Sequence, residues 1–344
     1  MGGGSTVACK DDSTQLSAGS APGGPLAFQH RIVNQLTYAQ LRFEFVSGSE
    51  TRLPEFLGST LRGCLASAMR RISCALRKEE CPSCMLRERC HYSVLFETPP
   101  DTRLDAWQKQ TSWPRPIVIE PPELRVTPWQ AGEVLPFDLL LFGRAAQSFP
   151  YLVLAASRMA KAGLGSRRSP FRLKRVLDLR NSEARLFIEG QDRVEAPRIA
   201  PPDLPEYPKS STLWVRFKTP TRILDAGRAS NNLEFGRLVK AALSRVSSLV
   251  LFHCGGTVDG EPKEILEAAR SVRTTAEEIG WVPLKRWSNR QKQQLPLDGF
   301  IGRVGYDGAE CREFWPLLKA GELTHVGKGT VFGLGKYGIL EREE

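Results

Sequence analysis

Three groups of residues in this chain have types and spacings that could do chemistry. The first is His325-Val-Gly-Lys-Gly-Thr-Val-Phe-Gly-Leu-Gly335, with glycines at 327, 329, 333 and 335. Glycine admits positive φ and lets a ligand approach the main chain closely. Clustered amide N–H groups beside Lys328 and Lys336 suit a chain of phosphates. The P-loop pattern fails, because too many residues separate Gly321 from Gly327 and because Gly329 follows the lysine. The dinucleotide fingerprint fails as well, since three residues lie between Gly329 and Gly333 and a strand is expected next. A plain helix-to-strand turn would use two glycines, so four with a flanking His and Lys favour contact with a phosphate backbone.

The second group is Cys74, Cys81, Cys84 and Cys90, half of the eight cysteines, gathered within seventeen residues. Cys81-Pro-Ser-Cys84 is a knuckle, and four thiolates so spaced can close a tetrahedral structural Zn²⁺ site, with an iron–sulfur cluster as the lesser choice. His91 could replace one ligand. A redox pair accounts for neither Cys74 nor Cys90. The third group is the four histidines, 30, 91, 253 and 325, whose ordinary pKa suits proton transfer near neutral pH.

These residues need elements to position them. From Leu41 to Val46 apolar and polar side chains alternate, the period of a half-buried strand. Leu53–Ile72 reads as an amphipathic helix, with Phe56, Leu57, Leu61, Leu65, Ala68 and Met69 on one stripe and Arg62, Arg70 and Arg71 off it. Strands follow at 117–119 and 134–142, a helix at 150–162 ending on Gly163, and a strand at 171–179. Five prolines between Ala196 and Lys209 resist helix and sheet, marking a linker. Beyond it come a strand at 212–219, a helix at 232–252, strands at 281–286 and 299–305, a short helix at 311–320 and a strand at 336–340. Both halves run strand, helix, strands, helix, strand. The fold class is therefore α+β, with tandem ferredoxin-like domains. The expected division is a disordered tail over 1–26, an N-terminal domain over 27–205 with a Cys-rich insertion at 74–96, and a C-terminal domain over 206–344.

Forty-eight Lys and Arg against 38 Asp and Glu leave a net charge of +10, which favours polyanionic partners. No apolar run approaches the ~18 residues of a membrane span, and the N-terminus lacks signal-peptide character. A cytoplasmic, reducing setting is expected, where cysteines serve as metal ligands or buried side chains. Two basic stretches stand out. One carries Arg167, Arg168 and Arg172 around the turn Gly165-Ser-Arg-Arg-Ser169, and the other carries Arg286 and Arg290 with Trp287 between them, suited to stack an unpaired base.

Taken in order, Leu57-Gly-Ser-Thr-Leu-Arg-Gly63, Tyr92-Ser-Val-Leu-Phe-Glu97, Gly163-Leu-Gly165, Thr219-Pro-Thr-Arg222, Phe252-His-Cys-Gly255, Arg286-Trp-Ser-Asn-Arg-Gln291 and His325 to Tyr337 resemble the CRISPR-associated RAMP proteins. Within these, the resemblance is to the endoribonucleases that process precursor CRISPR RNA (Cas family six). It covers most of the chain from about residue 36. The resemblance implies a tandem ferredoxin-like fold, a glycine-rich loop that contacts RNA, and metal-independent cleavage inside the repeat. In that chemistry the ribose 2′-OH attacks the neighbouring phosphorus, giving a 2′,3′-cyclic phosphate and a 5′-OH. A base, an acid and cations around the developing charge are needed.

Many such proteins place a catalytic histidine on or near the first helix, whereas Leu53–Ile72 has none. His325, abutting the glycines with Lys328 three residues on, is then the lead acid or base, followed by His30. The expected RNA contacts are Gly327, Lys328, Gly329, Thr330, Gly333, Gly335, Lys336, Arg167, Arg168, Arg172, Arg286 and Arg290. Expected partners are CRISPR repeat RNA and other subunits of a CRISPR effector complex, with no membrane. A non-catalytic RAMP subunit holding guide RNA is the alternative.

Overall fold

The computed structural model describes residues 25–77, 80–98, 113–208, 210–225, 228–229, 233–260, 262–288 and 291–340. The tail expected over 1–26 lies outside them up to residue 24, and from Pro25 the chain is a helix, α1 (Pro25–Gln35). The N-terminal half follows as β1 (Tyr38–Ser47), α2 (Gly58–Ser73), β2 (Ile117–Glu120), β3 (Val134–Phe142), α3 (Phe149–Ala162), β4 (Phe171–Asp178) and β5 (Ala184–Ile188). Its antiparallel sheet runs β2-β3-β1-β4-β5. The first four strands give the split βαβ order, and β5 extends the edge.

The second half repeats the plan. It comprises β6 (Thr212–Thr221), a two-residue ladder of β7 (Leu224–Asp225) with β8 (Arg228–Ala229), α4 (Phe235–Leu249), α5 (Pro262–Ser271), β9 (Thr274–Val282), β10 (Lys285–Ser288), β11 (Gln293–Pro296), β12 (Gly299–Asp307), α6 (Gly308–Cys311), α7 (Trp315–Thr324) and β13 (Tyr337–Leu340). The sheet order β13-β6-β12-β9 is the same permutation as in the first half. The fold is tandem ferredoxin-like. Where one strand was expected at 281–286, Pro283 interrupts: β9 pairs with β12, and β10 turns away to pair with β11 as a separate hairpin. Proline has no N–H for the ladder.

The core explains the sequence pattern. On β1, Leu41, Phe43 and Phe45 point with Phe137, Leu139 and Leu141 of β3 into a cluster closed by Leu61, Leu65 and Met69 of α2 and Leu152 and Met159 of α3. The opposite faces of β2 and β3 are also buried. Val118, Leu140 and Phe142 join the second core with Leu238, Val246 and Leu249 of α4 and Leu317 and Leu318 of α7. Two-sided burial is why Ile117–Ile119 and Leu139–Phe142 read as unbroken apolar runs.

α1 precedes the N-terminal domain in sequence but packs elsewhere. Phe28, Ile32, Val33 and Leu36 belong to the C-terminal core, and Gln29 Nε2 donates to the Glu313 carbonyl at 3.1 Å. The proline-rich linker is strapped to both halves: Ala200 bridges Tyr38, and Trp315 Nε1 donates to the Pro205 carbonyl at 2.6 Å. Among the described residues no helix is long and apolar enough to cross a membrane.

Candidate functional site

The glycine-rich segment leaves α7 at His325, makes one 3-10 turn over Thr330–Phe332 and enters β13. Gly327, Gly329, Gly333 and Gly335 all have φ between 73° and 83°, the left-handed region that glycine alone enters freely. A Cβ on Gly335 would lie 1.9 Å from the Val326 oxygen, one on Gly327 2.3 Å from that of Arg222, and one on Gly333 2.5 Å from that of Ile119. The glycines thus let the loop close on itself and on β2. Amides of the segment are spent the same way: Val326 N–H donates to Gly335, Lys328 to Arg222, Phe332 to Gly329, Gly333 to Thr330 and Gly335 to Pro220. Only its first part, Gly327 and Lys328, is exposed, while Thr330, Gly333 and Gly335 are buried. The expected backbone cradle is therefore narrowed to Gly327–Gly329.

His325 is fully buried, in a positive-φ conformation. Its Nδ1 donates to the Leu334 carbonyl at 3.0 Å and its Nε2 meets Glu120 Oε1 at 2.8 Å. The other carboxylate oxygen accepts from Lys336 Nζ at 2.6 Å. Burial alone would raise the Glu120 pKa, but the hydrogen bond and charge of His325, followed by those of Lys336, outweigh it and hold the carboxyl near 2. His325, Glu120 and Lys336 form a clasp between the C-terminal loop and β2. Both ring nitrogens being engaged, His325 organises the loop in this arrangement and offers no free nitrogen to a substrate. Lys336, tied to Glu120, is not a free cation either.

The loop docks on the start of α2. Gly58 lies so close to the Phe332 oxygen that a Cβ would stand 1.9 Å away. Around the Phe332 ring the guanidinium of Arg286, from β10, sits 4.9 Å from the centroid and that of Arg62, from α2, 5.9 Å. Arg62 also lies 5.5 Å from the Phe96 ring, and Arg115 donates to the Phe96 carbonyl at 2.9 Å. Burial, then the charge of Arg115, with a smaller part from Arg286, depresses the Arg62 pKa. The Arg62 Nε is buried with no hydrogen-bond partner. Phe56, Leu284, Leu297, Leu334 and Phe332 make a small apolar cluster that fixes the base of the β10–β11 hairpin here. Sequence reading placed Arg62 off the apolar stripe but missed it as a site residue, along with Arg115, Phe332 and Glu120; only the fold brings them together. Among the described residues neither Arg62 nor Arg286 has an ion pair with a carboxylate, and guanidinium groups so placed suit an incoming phosphate.

The other expectations fall out as follows. His30 is exposed on α1, on the face away from Phe28, Ile32 and Val33, and has no described contact with the glycine segment. His253 is buried, with Nε2 donating to the Pro114 carbonyl at 2.8 Å; burial pushes its pKa down to about 3, a neutral structural ring. Arg167 and Arg168 are exposed on the turn after α3. Arg172 is paired with Glu189, a surface ion pair rather than a free cation. Trp287 is exposed on the hairpin, and Arg290 lies outside the described residues.

The cysteines cluster loosely past α2. Cys81 lies within electrostatic reach of Cys74, Cys90 and Arg70, and the Cys84 amide donates to the Cys81 carbonyl at 3.4 Å, the turn of a knuckle. His91 turns away, its Nδ1 meeting Ser148 Oγ at 2.9 Å with the ring stacked on Tyr151. Among the described residues no three His, Cys, Asp or Glu side chains gather closely enough to hold a metal ion. The thiols as arranged do not form the expected tetrahedron.

Residues 215–337 match the family model of the CRISPR-associated endoribonuclease Cas6. The likeness to Cas6 thus covers the C-terminal ferredoxin-like unit. The matched stretch holds the glycine segment, the β10–β11 hairpin and α7. Residues 36–199 match the model of the AF_1859 N-terminal domain. An uncharacterized protein of Archaeoglobus fulgidus is 26% identical over 313 residues, covering 89% of this chain and 98% of its own. Among solved structures, a Cas6 product complex superposes with a TM-score of 0.52 at 18% identity, over 88% of this chain and all of the other. Thermus thermophilus Cas6 superposes with a TM-score of 0.50 at 16% identity, over 89% and 99%. These likenesses concern the fold; the Cas6 domain then locates the candidate site at its glycine segment and the face of α2 it docks on.

Proposed function

We propose that the protein cuts CRISPR repeat RNA in precursor transcripts, with the ribose 2′-OH as nucleophile and without a metal ion. The 2′-oxygen bonds to phosphorus as the P–O5′ bond breaks. The 2′-OH proton is lost, one proton is delivered to the 5′-oxygen, and the products are a 2′,3′-cyclic phosphate and a 5′-OH. The observation that carries this reading is the pair Arg62 and Arg286 around Phe332, with Arg115 beside Arg62, next to the exposed Gly327 and Lys328 of the glycine segment. There the guanidinium groups stabilise charge on the phosphorane, and Lys328 is the exposed cation that serves the leaving oxygen. Trp287 stacks an unpaired base. A solved Cas6 with bound product, and another joined to Cas1–Cas2, support repeat RNA and other CRISPR proteins as partners.

One observation favours the second reading, a guide-binding RAMP subunit without catalysis: His325, the histidine at the loop, has both nitrogens engaged. Incubation with repeat RNA in chelator separates the two. The enzyme reading expects a 2′,3′-cyclic phosphate end, lowered about tenfold or more in Lys328→Ala, in line with loss of one positioned charge. Binding without that product sinks it.

The expected zinc belongs to the same proposal. Cys81 stands within electrostatic reach of Cys74 and Cys90, and Cys84 follows on the knuckle; drawing these thiols together on a metal would anchor the insertion and take no part in cleavage. One zinc per purified chain, lost on Cys81→Ser with Cys84→Ser, is the expected metal analysis.

A further inference from the structure

A second basic site lies outside the glycine segment. A groove of about 500 Å³ opens at the far end of α2, lined by Ser67, Arg70, Arg71, Cys74, Arg77 and Arg158. The arginines come from three places: the last turn of α2, the segment after it, and the exposed side of α3. Among the described residues none of the four forms an ion pair with a carboxylate. Arg71, Arg77 and Arg158 are exposed. Cations at a helix C-terminus complement its dipole, which accounts for Arg70 and Arg71. It accounts for neither Arg77 nor Arg158, which reach the groove from other segments.

The groove and the proposed cleavage site lie at the two ends of one helix. α2 carries Arg62, Arg70 and Arg71 and has no acidic residue at all. Its start touches the glycine loop at Gly58, and Arg62 and Arg70 are roughly 12 Å apart along the helix at 1.5 Å per residue. α2 thus bears one cation near the glycine loop and two at the groove, with Tyr92 and its partner Glu97 facing the stretch between Arg62 and Arg70, and Arg158 of α3 completes the groove.

We infer that the groove of Arg70, Arg71, Arg77 and Arg158 holds the sugar–phosphate backbone of single-stranded RNA that leaves the glycine-loop site along α2. This rests on the reading that the chain binds RNA at that loop. Sequence-independent backbone contact is what such a groove can supply: several donors, no base-shaped slot, and wide spacing. Arg70, with its guanidinium near the Cys74 and Cys81 thiols, fixes the inner wall, and the exposed arginines form the rim.

The test is equilibrium binding of two mixed-sequence single-stranded RNAs across a salt series. One is long enough to run the length of α2, and the other is a short oligonucleotide that is not. The variants are Arg71→Glu with Arg158→Glu, Lys328→Ala, and a control of equal charge change in the other domain, Lys240→Glu with Arg270→Glu. All of these side chains are exposed, and a thermal melt checks the fold.

For the groove pair, the slope of log affinity against log salt on the long RNA is expected to fall by roughly 1.4, two contacts at about 0.7 each for single strands. On the short RNA it should stay unchanged, and the control pair should move neither. A groove pair that binds the long RNA like the parent, while Lys328→Ala weakens both, overturns the groove and leaves the loop standing. The reverse pattern overturns the loop reading and keeps the groove. No binding by the parent protein overturns both.

Discussion

Glu120 is the residue on which the loop depends. It is nearly buried at the end of β2 and takes hydrogen bonds from His325 and Lys336, two residues of the far segment. Its carboxyl, held near 2 against an ordinary 4.5, favours the charged form in the folded state. Stability from this group is therefore complete above about pH 4.5 and is lost as pH falls toward 2. Glu120→Gln breaks a buried charged contact, so unfolding free energy at neutral pH should fall by on the order of 3 kcal/mol. The melting temperature of the parent should drop more steeply than that of the variant between pH 4.5 and 2. Parallel acid curves would show that the clasp carries no charge-linked stability. The same geometry revises expectation at His325. A histidine beside a glycine loop reads as a proton-transfer group, but a fully buried ring bonded at both nitrogens is a positioning group. Its burial was not legible from the sequence, because its partner Glu120 stands more than two hundred positions away.

At the scale of elements, α2 and the glycine segment make one surface. The helix is legible from its apolar period, Leu61, Leu65, Ala68 and Met69, and the arginines off that stripe were visible as a charged face. That Phe332 would sit on Gly58 was not, since nothing local in either segment refers to the other. Gly58→Val puts a side chain where the Phe332 carbonyl stands, 1.9 Å from the new Cβ, and a backbone oxygen cannot swing aside as a flexible side-chain end can. The loop should lift from the helix, with RNA affinity falling about tenfold, ~1.4 kcal/mol. Protease cleavage within 327–334 should become faster. Unchanged affinity would mean that helix and loop bind RNA separately. The β10–β11 hairpin teaches a similar lesson: Pro283 was in plain view, but that it divides two strands of different sheets is decided by β12, which pairs with β9 and β6 and leaves β10 to pair with β11.

For the whole molecule, the two ferredoxin-like units are not independent beads. The back face of β2 and β3 is core for α4 and α7. Arg245, its pKa lowered by burial and then by Arg115 to about 9, donates to the carbonyls of Thr324 and Arg115. α1 ties the first residues of the fold to the last domain. A chain starting at Thr37 loses Phe28, Ile32, Val33 and Leu36 from the second core. At about 1.5–3 kcal/mol for each large side chain fully buried, this is a loss of several kcal/mol. Hydrogen exchange should then show protection falling in α4 and α7 while α2 and α3 hold theirs. Equal loss in both halves would mean that α1 supports the molecule as a whole.

The sequence by itself determined the fold class, most strands and helices, and the place of the glycine segment between the last helix and the last strand. Hydrophobic periods, proline runs and glycine clusters are local, and local signals survive without a structure. The tertiary structure alone decided what the glycines do. Their positive φ values and close approaches serve contacts with Arg222, Ile119 and Val326, residues distant in sequence or folded back by the turn, leaving Gly327 and Lys328 exposed. It also decided that Arg62 and Arg286 meet at one ring and that Arg115 comes beside Arg62. Three side chains from three segments converge only when two sheets and a hairpin are in place, and no spacing along the chain encodes that meeting.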